Sequence, residues 1–218
     1  MRIFVAPILE FPDRIVRVLR EPPAFTELIL LFVISGGIYG AVMGAPAGWL
    51  QILYSTIKVP LLLGATFALS VPCYFILNSL AGLRADFPQA LRAVAAAQAG
   101  LAVTLASLCP FTALWYFSCA SYNTDILFNG LMFAVATAAG QSLIRRFYRP
   151  LILRSPRHRT LRNIWMFVYS FVAVQMAWVL RPFVGDPRLS THFFRHDAWG
   201  NAYVLLANLI WGWLRRPI

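Results

Sequence analysis

The sequence predicts an all-α, polytopic membrane helix bundle of about six transmembrane helices with an N-terminal amphipathic surface helix. Three observations carry that prediction. Hydrophobic residues make up 60% of the 218 residues and charged residues only 12%, against roughly 25% charged in a soluble domain. The apolar residues gather into runs long enough to cross roughly 30 Å of hydrocarbon at about 1.5 Å per helical residue. The net charge of +11 comes from short Arg clusters between those runs rather than from one basic face or tail. That distribution points to a membrane and away from nucleic acid.

Each element follows in chain order. "FPDRIVRVLREPP" sets Phe11, Ile15, Val18 and Leu19 on one helical face and Arg14, Arg17 and Glu21 on another. It reads as a helix lying on the membrane surface, with Arg14, Arg17 and Arg20 facing anionic headgroups, and Pro22-Pro23 stops it. "TELILLFVISGGIYGAVMG", Thr26 to Gly44, is the first span. Trp49, Leu50, Leu53, Tyr54 and Ile57 share a face and suggest a short interfacial helix with an aromatic anchor. The second span is Lys58 to Leu83, kinked at Pro72. The third runs from about Leu91 to Pro110, and residues 111–119 either continue it at an angle or re-enter the membrane. Ile126 to Leu143, Ile164 to Leu180 and Ala198 to Leu214 complete the six.

Together the spans form one integral membrane domain over 1–218. Its water-facing parts are a cytoplasmic segment 1–23, a basic cytoplasmic loop 145–162 and an outer loop 181–197. Arg and Lys counts in short loops set orientation. With the N-terminus inside, 15 basic residues fall on the inner side, among them Arg145, Arg146 and Arg149 as headgroup contacts. Lys58, Arg181, Arg188 and Arg195 make four on the outer side. The expectation is a multi-pass protein with both termini cytoplasmic.

Lipid supplies little hydrophobic drive for helix association, so close backbone approach at small residues becomes the main packing device. Gly36, Gly40 and Gly44 recur every four residues in the first span, and Gly130, Ala134 and Ala138 repeat the pattern in the fourth. Both rows are read as helix-packing faces. Polar residues within spans are sparse: Glu27, Asn78, Gln98, Thr104, Asn129, Gln141, Gln175 and Asn208. Paired acids, a Ser with a His and a metal motif are all missing from the spans, so no catalytic residue is assigned. Cys73, Cys109 and Cys119 have no C-x-x-C spacing. All three His lie outside the spans, and the sequence calls for no cofactor.

"MAWVLRPFVGDPRLSTHFFRH", Met176 to His196, combines a helix end with a turn at Gly185-Asp186-Pro187 and interfacial aromatics. Arg181, Phe183, Asp186, Phe193, Phe194 and Arg195 are expected to dock against a partner or the interface. His192 and His196, four residues apart beside Asp186 and Asp197, are the alternative: a zinc site, or the centre of a lipid-acting enzyme. Two His without a third certain ligand favour docking over metal.

Four stretches carry a family resemblance: "IKVPLLLGATFALSVPCYFILNSLAGL" (57–83), "LASLCPFTALWYF" (105–117), "RRFYRPL" (145–151), and "FVAVQMAWVLRPFVGDP" with "FFR" (171–187, 193–195). Together they make the chain resemble a group of bacterial multi-span proteins of Yip1-like type. The resemblance implies a bacterial inner membrane and brings no activity or catalytic residue. The eukaryotic Yip1 motifs are not recognisable here, so trafficking does not carry over. Residues and resemblance lead to a non-enzymatic membrane scaffold or complex subunit. Its partners are anionic lipid and other membrane subunits or further copies of itself. A small channel or transporter is the alternative, and it requires Gln98, Asn129 and Gln141 to line a wet cavity.

Overall fold

The computed structural model describes residues 25–118, 122–185, 191–194 and 203–204. The described residues are predominantly helical and contain no strand. The helices are α1 Phe25–Gly44, α2 Trp49–Leu80, α3 Phe87–Ser107, α4 Cys109–Ser118, α5 Tyr122–Arg154 and α6 Arg157–Leu180. They supply five stretches long and apolar enough to cross a membrane, with α3 and α4 counting as one. The expected N-terminal surface helix with Arg14, Arg17 and Arg20 falls on residues outside those described. So does the expected sixth span, apart from Tyr203 and Val204.

α1 and α2 run antiparallel, joined by a single 3-10 turn, Ala45–Ala47, and by Gly48 at φ +96°, a backbone conformation that glycine adopts at no steric cost. The glycines of α1 meet the α2 backbone in register. A Cβ at Gly44 would lie 2.5 Å from the Gln51 carbonyl oxygen, one at Gly40 would collide with the Ser55 carbonyl oxygen, and one at Gly36 would lie 3.3 Å from Pro60 Cγ. Side chains are absent from this seam because the two backbones already touch.

α2 is one helix of 32 residues, where the sequence suggests an interfacial helix followed by a separate span. Pro60 removes a single backbone donor and the helix runs through it, held by burial of Gln51, Ser55 and Lys58 on one face. The third span bends and continues. Pro110 has no N–H to offer the preceding turn, the Leu108 amide bonds to Thr104 and Leu105, and the helix restarts at Cys109 as α4. The basic stretch 145–162, expected as a loop, is instead the end of α5 and the start of α6, separated only by Ser155 and Pro156. Arg145, Arg146 and Arg149 are exposed on that helix end.

In the fourth span the small residues lie elsewhere than the sequence suggests. Gly130, Ala134 and Ala138 are on the exposed face of α5, and a Cβ at Gly130 would meet nothing within 4 Å. The face against α3 carries Met132, Ala136, Gly140 and Ile144. There, a Cβ on Gly140 would sit 3.3 Å from Leu101 Cβ, and Gly100 faces the Leu143 side chain.

Neighbouring helices close a ring in the order α5, α3, α1, α2, α6, with α4 set against α1 and α5. The edge between α5 and α6 is the loosest part of that ring. One end carries Arg84, Arg92, Arg145, Arg146, Arg149, Arg154, Arg157, Arg159 and Arg162, while Lys58 and Arg181 are the only Lys or Arg toward the other among the described residues.

Candidate functional site

At the Lys58 end, α6 stops because Pro182 disfavours helical geometry in the preceding residue, and Arg181 is extended at φ −60°, ψ 152°. The chain then folds across the start of α2. Lys58 Nζ donates to the Pro182 carbonyl at 2.7 Å, Gln51 Nε2 donates to the Phe183 carbonyl at 2.8 Å, and Ser55 Oγ donates to that same oxygen at 2.5 Å. Gln51, Ser55 and Lys58 are fully buried, and their spacing puts all three on one face of α2. Phe193 closes over the group, its ring centroid 4.9 Å from the Lys58 nitrogen and 5.2 Å from the Tyr54 ring. Gly185 seals the contact, since a Cβ there would lie 2.5 Å from Ala47 Cβ.

This latch accounts for several residues of the segment that follows α6. Phe183 and Phe193 dock within the chain, Arg181 stacks its guanidinium 3.3 Å from the Trp178 ring centroid, and Phe194 is 44% exposed. Asp186, Arg195 and His196 lie outside the described residues. Among the described residues no three His, Cys, Asp or Glu side chains gather as a metal centre.

Just inside the latch, Asn129 of α5 joins three helices. Its Oδ1 accepts from Tyr39 Oη of α1 at 2.9 Å, and its Nδ2 donates to Tyr116 Oη of α4 at 2.7 Å and to the Asp125 carbonyl at 2.7 Å. Tyr116 Oη also donates to the Met43 carbonyl at 3.3 Å. A buried amide so fully engaged fixes helix positions.

The ring borders a cavity of about 570 Å³, lined among others by Met43 of α1, Thr66 of α2, Leu101 of α3, Asn129 of α5, and Tyr169 and Val174 of α6. Arg181, Pro182 and Phe183 close its end nearest Lys58. A narrower crevice of about 60 Å³ continues past Leu101, Thr137 and Tyr169, and Gln98 and Gln141 line it. All three polar residues singled out for a transport path therefore border these spaces, Asn129 on the large one. The walls are predominantly apolar.

At the Arg-rich end a second tie joins the α2–α3 connection to the α5–α6 turn. Asp86 Oδ2 pairs with His158 Nε2 at 3.1 Å, and Arg154 Nη1 donates to Asp86 Oδ1 at 3.3 Å and to Gln89 Oε1 at 3.1 Å. Beneath it the Tyr74 and Tyr148 hydroxyls hydrogen-bond across the core, and the His158 ring stands edge-on to Tyr148, centroids 6.0 Å apart. Sequence reading missed the latch and both ties. The latch had a readable signal in the Gln51, Ser55 and Lys58 spacing, whereas Asp86 and His158 share no local pattern. No family model, no curated protein and no solved structure matches the chain.

Proposed function

We propose that the chain is a non-enzymatic, integral membrane scaffold or complex subunit of a bacterial inner membrane, with its Arg-rich end in the cytoplasm. The observation that supports the reading is how the buried polar groups are spent. Lys58, Gln51, Ser55, Asn129, Asp86 and His158 all fasten one segment of the chain to another. Outside this fastened body, Leu127 of α5 and Phe167 of α6 are 73% and 74% exposed, offering apolar faces to lipid or to a partner's helix.

The test is site-specific photo-crosslinking from Leu127 and Phe167 in native membranes, with native mass spectrometry of the complex in mild detergent. A crosslinked protein of fixed stoichiometry is the expected result. Lipid-only crosslinks from a monomeric chain would count against the reading. A small channel or transporter is the second reading, favoured by Gln98 and Gln141 lining one crevice. Ion flux in proteoliposomes that is lost in Gln141→Leu would replace the scaffold with it.

Orientation is tested separately. Ala45→Cys in the α1–α2 turn and Arg154→Cys at the end of α5, in a background without the native cysteines, should label from opposite sides of the membrane. Only Ala45→Cys should react with an impermeant thiol reagent in intact cells. Labelling of both from outside would overturn the proposed topology.

A further inference from the structure

We infer that Asp125 is a proton-binding site: its carboxyl keeps a proton in the folded chain, and loss of that proton loosens α4 from α5. The acids among the described residues are Glu27, Asp86 and Asp125, and only Asp125 is buried, at 6% exposed. Asp86 lies between His158 and Arg154, whereas Asp125 forms no ion pair. Its Oδ1 is closed off from solvent and accepts no hydrogen bond.

The groups that face it are neutral. From α4, Trp115 turns its indole N–H toward the carboxyl without reaching hydrogen-bond geometry, and its ring is stacked on Phe128 with centroids 4.5 Å apart. Tyr116 of α4 and Tyr39 of α1 meet at Asn129, which donates to the Asp125 carbonyl from one turn away. Tyr122 precedes Asp125 by three residues on α5. The described Lys and Arg at this end are engaged elsewhere: Lys58 donates to Pro182 and Arg181 stacks on Trp178. A carboxylate enclosed in this way bears its desolvation with no ion pair to offset it, so burial favours the protonated acid. Asp125 lies in the first turn of α5, where a helix dipole favours an anion. That pull acts through backbone N–H groups, however, and none donates to Oδ1. Once the proton leaves, the carboxylate is satisfied only by entering water or by the Trp115 N–H moving into range. Either change shifts α4 and disturbs the bond from Asn129 to Tyr116.

The experiment compares the full chain with Asp125→Asn in phosphatidylcholine vesicles. Native-minus-variant infrared spectra should contain the C=O stretch of a protonated carboxyl at about pH 6, well above the roughly 3.9 at which a free Asp ionises. In detergent, Asp125→Asn should unfold at a higher temperature than the native chain, because the unfolded Asp gives up its proton more readily than the folded one. The gain should open above that same value and grow by about 2–4 °C per pH unit until the folded carboxyl itself ionises. Spin labels at Phe117→Cys and Leu127→Cys, both highly exposed positions, report the α4–α5 distance in a background without the native cysteines. That distance should lengthen from about pH 6 to about pH 9 with Asp125 present and stay fixed in Asp125→Asn.

A carboxylate band in place of the C=O stretch, or a lower unfolding midpoint in Asp125→Asn, overturns the proton site and makes Asp125 a charged helix-end residue. A spin-label distance that stays fixed in the native chain, whether or not the band is lost, overturns the coupling to α4. If Asp125→Asn fails to fold, the native chain decides the matter alone. A C=O band present at about pH 6 and lost by about pH 9, together with the lengthened distance, supports the site, and absence of the band at the lower pH overturns it.

Discussion

Gly40→Leu should cause the largest stability loss of any single substitution in the α1–α2 seam. The first atom of the new side chain would collide with the Ser55 carbonyl oxygen, and a backbone atom cannot rotate aside. Overpacking typically costs about 1–3 kcal/mol, and this site belongs at the upper end because relief requires the two helices to separate. Separation would also disturb Gln51 and Ser55, which hold the latch to the segment after α6. Leu30→Ala, on a residue that is 51% exposed, provides the control and should cost little. Thermal unfolding in one detergent measures both, and equal midpoints would show that the glycine seam does not hold the helices.

The second large effect is expected at the latch. Gln51→Leu removes the donor to both the Pro182 and Phe183 carbonyls, and weakening buried polar pairing costs about 1–3 kcal/mol. Gly185→Val attacks the same contact from the other side, by driving a side chain into Ala47 and Gln51. Because either change alone lifts the segment after α6, the double variant should lose much less than the sum of the single losses. Limited proteolysis just beyond Leu180 should accelerate in all three. Additive losses with unaltered cleavage would mean that the segment is held by something other than these contacts.

The α1 ridge was legible because small residues every four positions leave a smooth face, and in lipid a smooth face is how backbones come close. The same spacing in Gly130, Ala134 and Ala138 describes an equally smooth face, but spacing does not record what lies opposite it. α3 meets the Gly140 side of α5 instead. Charge misled in a related way. Arg145 to Arg162 read as a loop because the residues are hydrophilic, yet a helix leaving the membrane keeps its backbone bonds and simply changes the solvent of its side chains. Pro60 and Lys58 likewise read as the edge of a span when they belong to the middle of a helix. The tie from Asp86 to His158 was illegible, since its members stand 72 positions apart and only the tertiary fold brings them together.

α5 has 33 residues, about 50 Å of helix at roughly 1.5 Å per residue, against a hydrocarbon thickness of roughly 30 Å. Its surplus length is concentrated at the end bearing Arg145, Arg146, Arg149 and Arg154, whose long stems reach the interface from a range of depths. A rod of this kind sets no sharp hydrophobic ruler at that surface. A thicker bilayer covers another turn and a thinner one uncovers it, each at a modest mismatch cost. The opposite surface has no comparable slack, because the α1–α2 turn and the Lys58 latch close the body there. Changes in bilayer thickness are therefore absorbed on the arginine side, leaving the latched end at a constant depth.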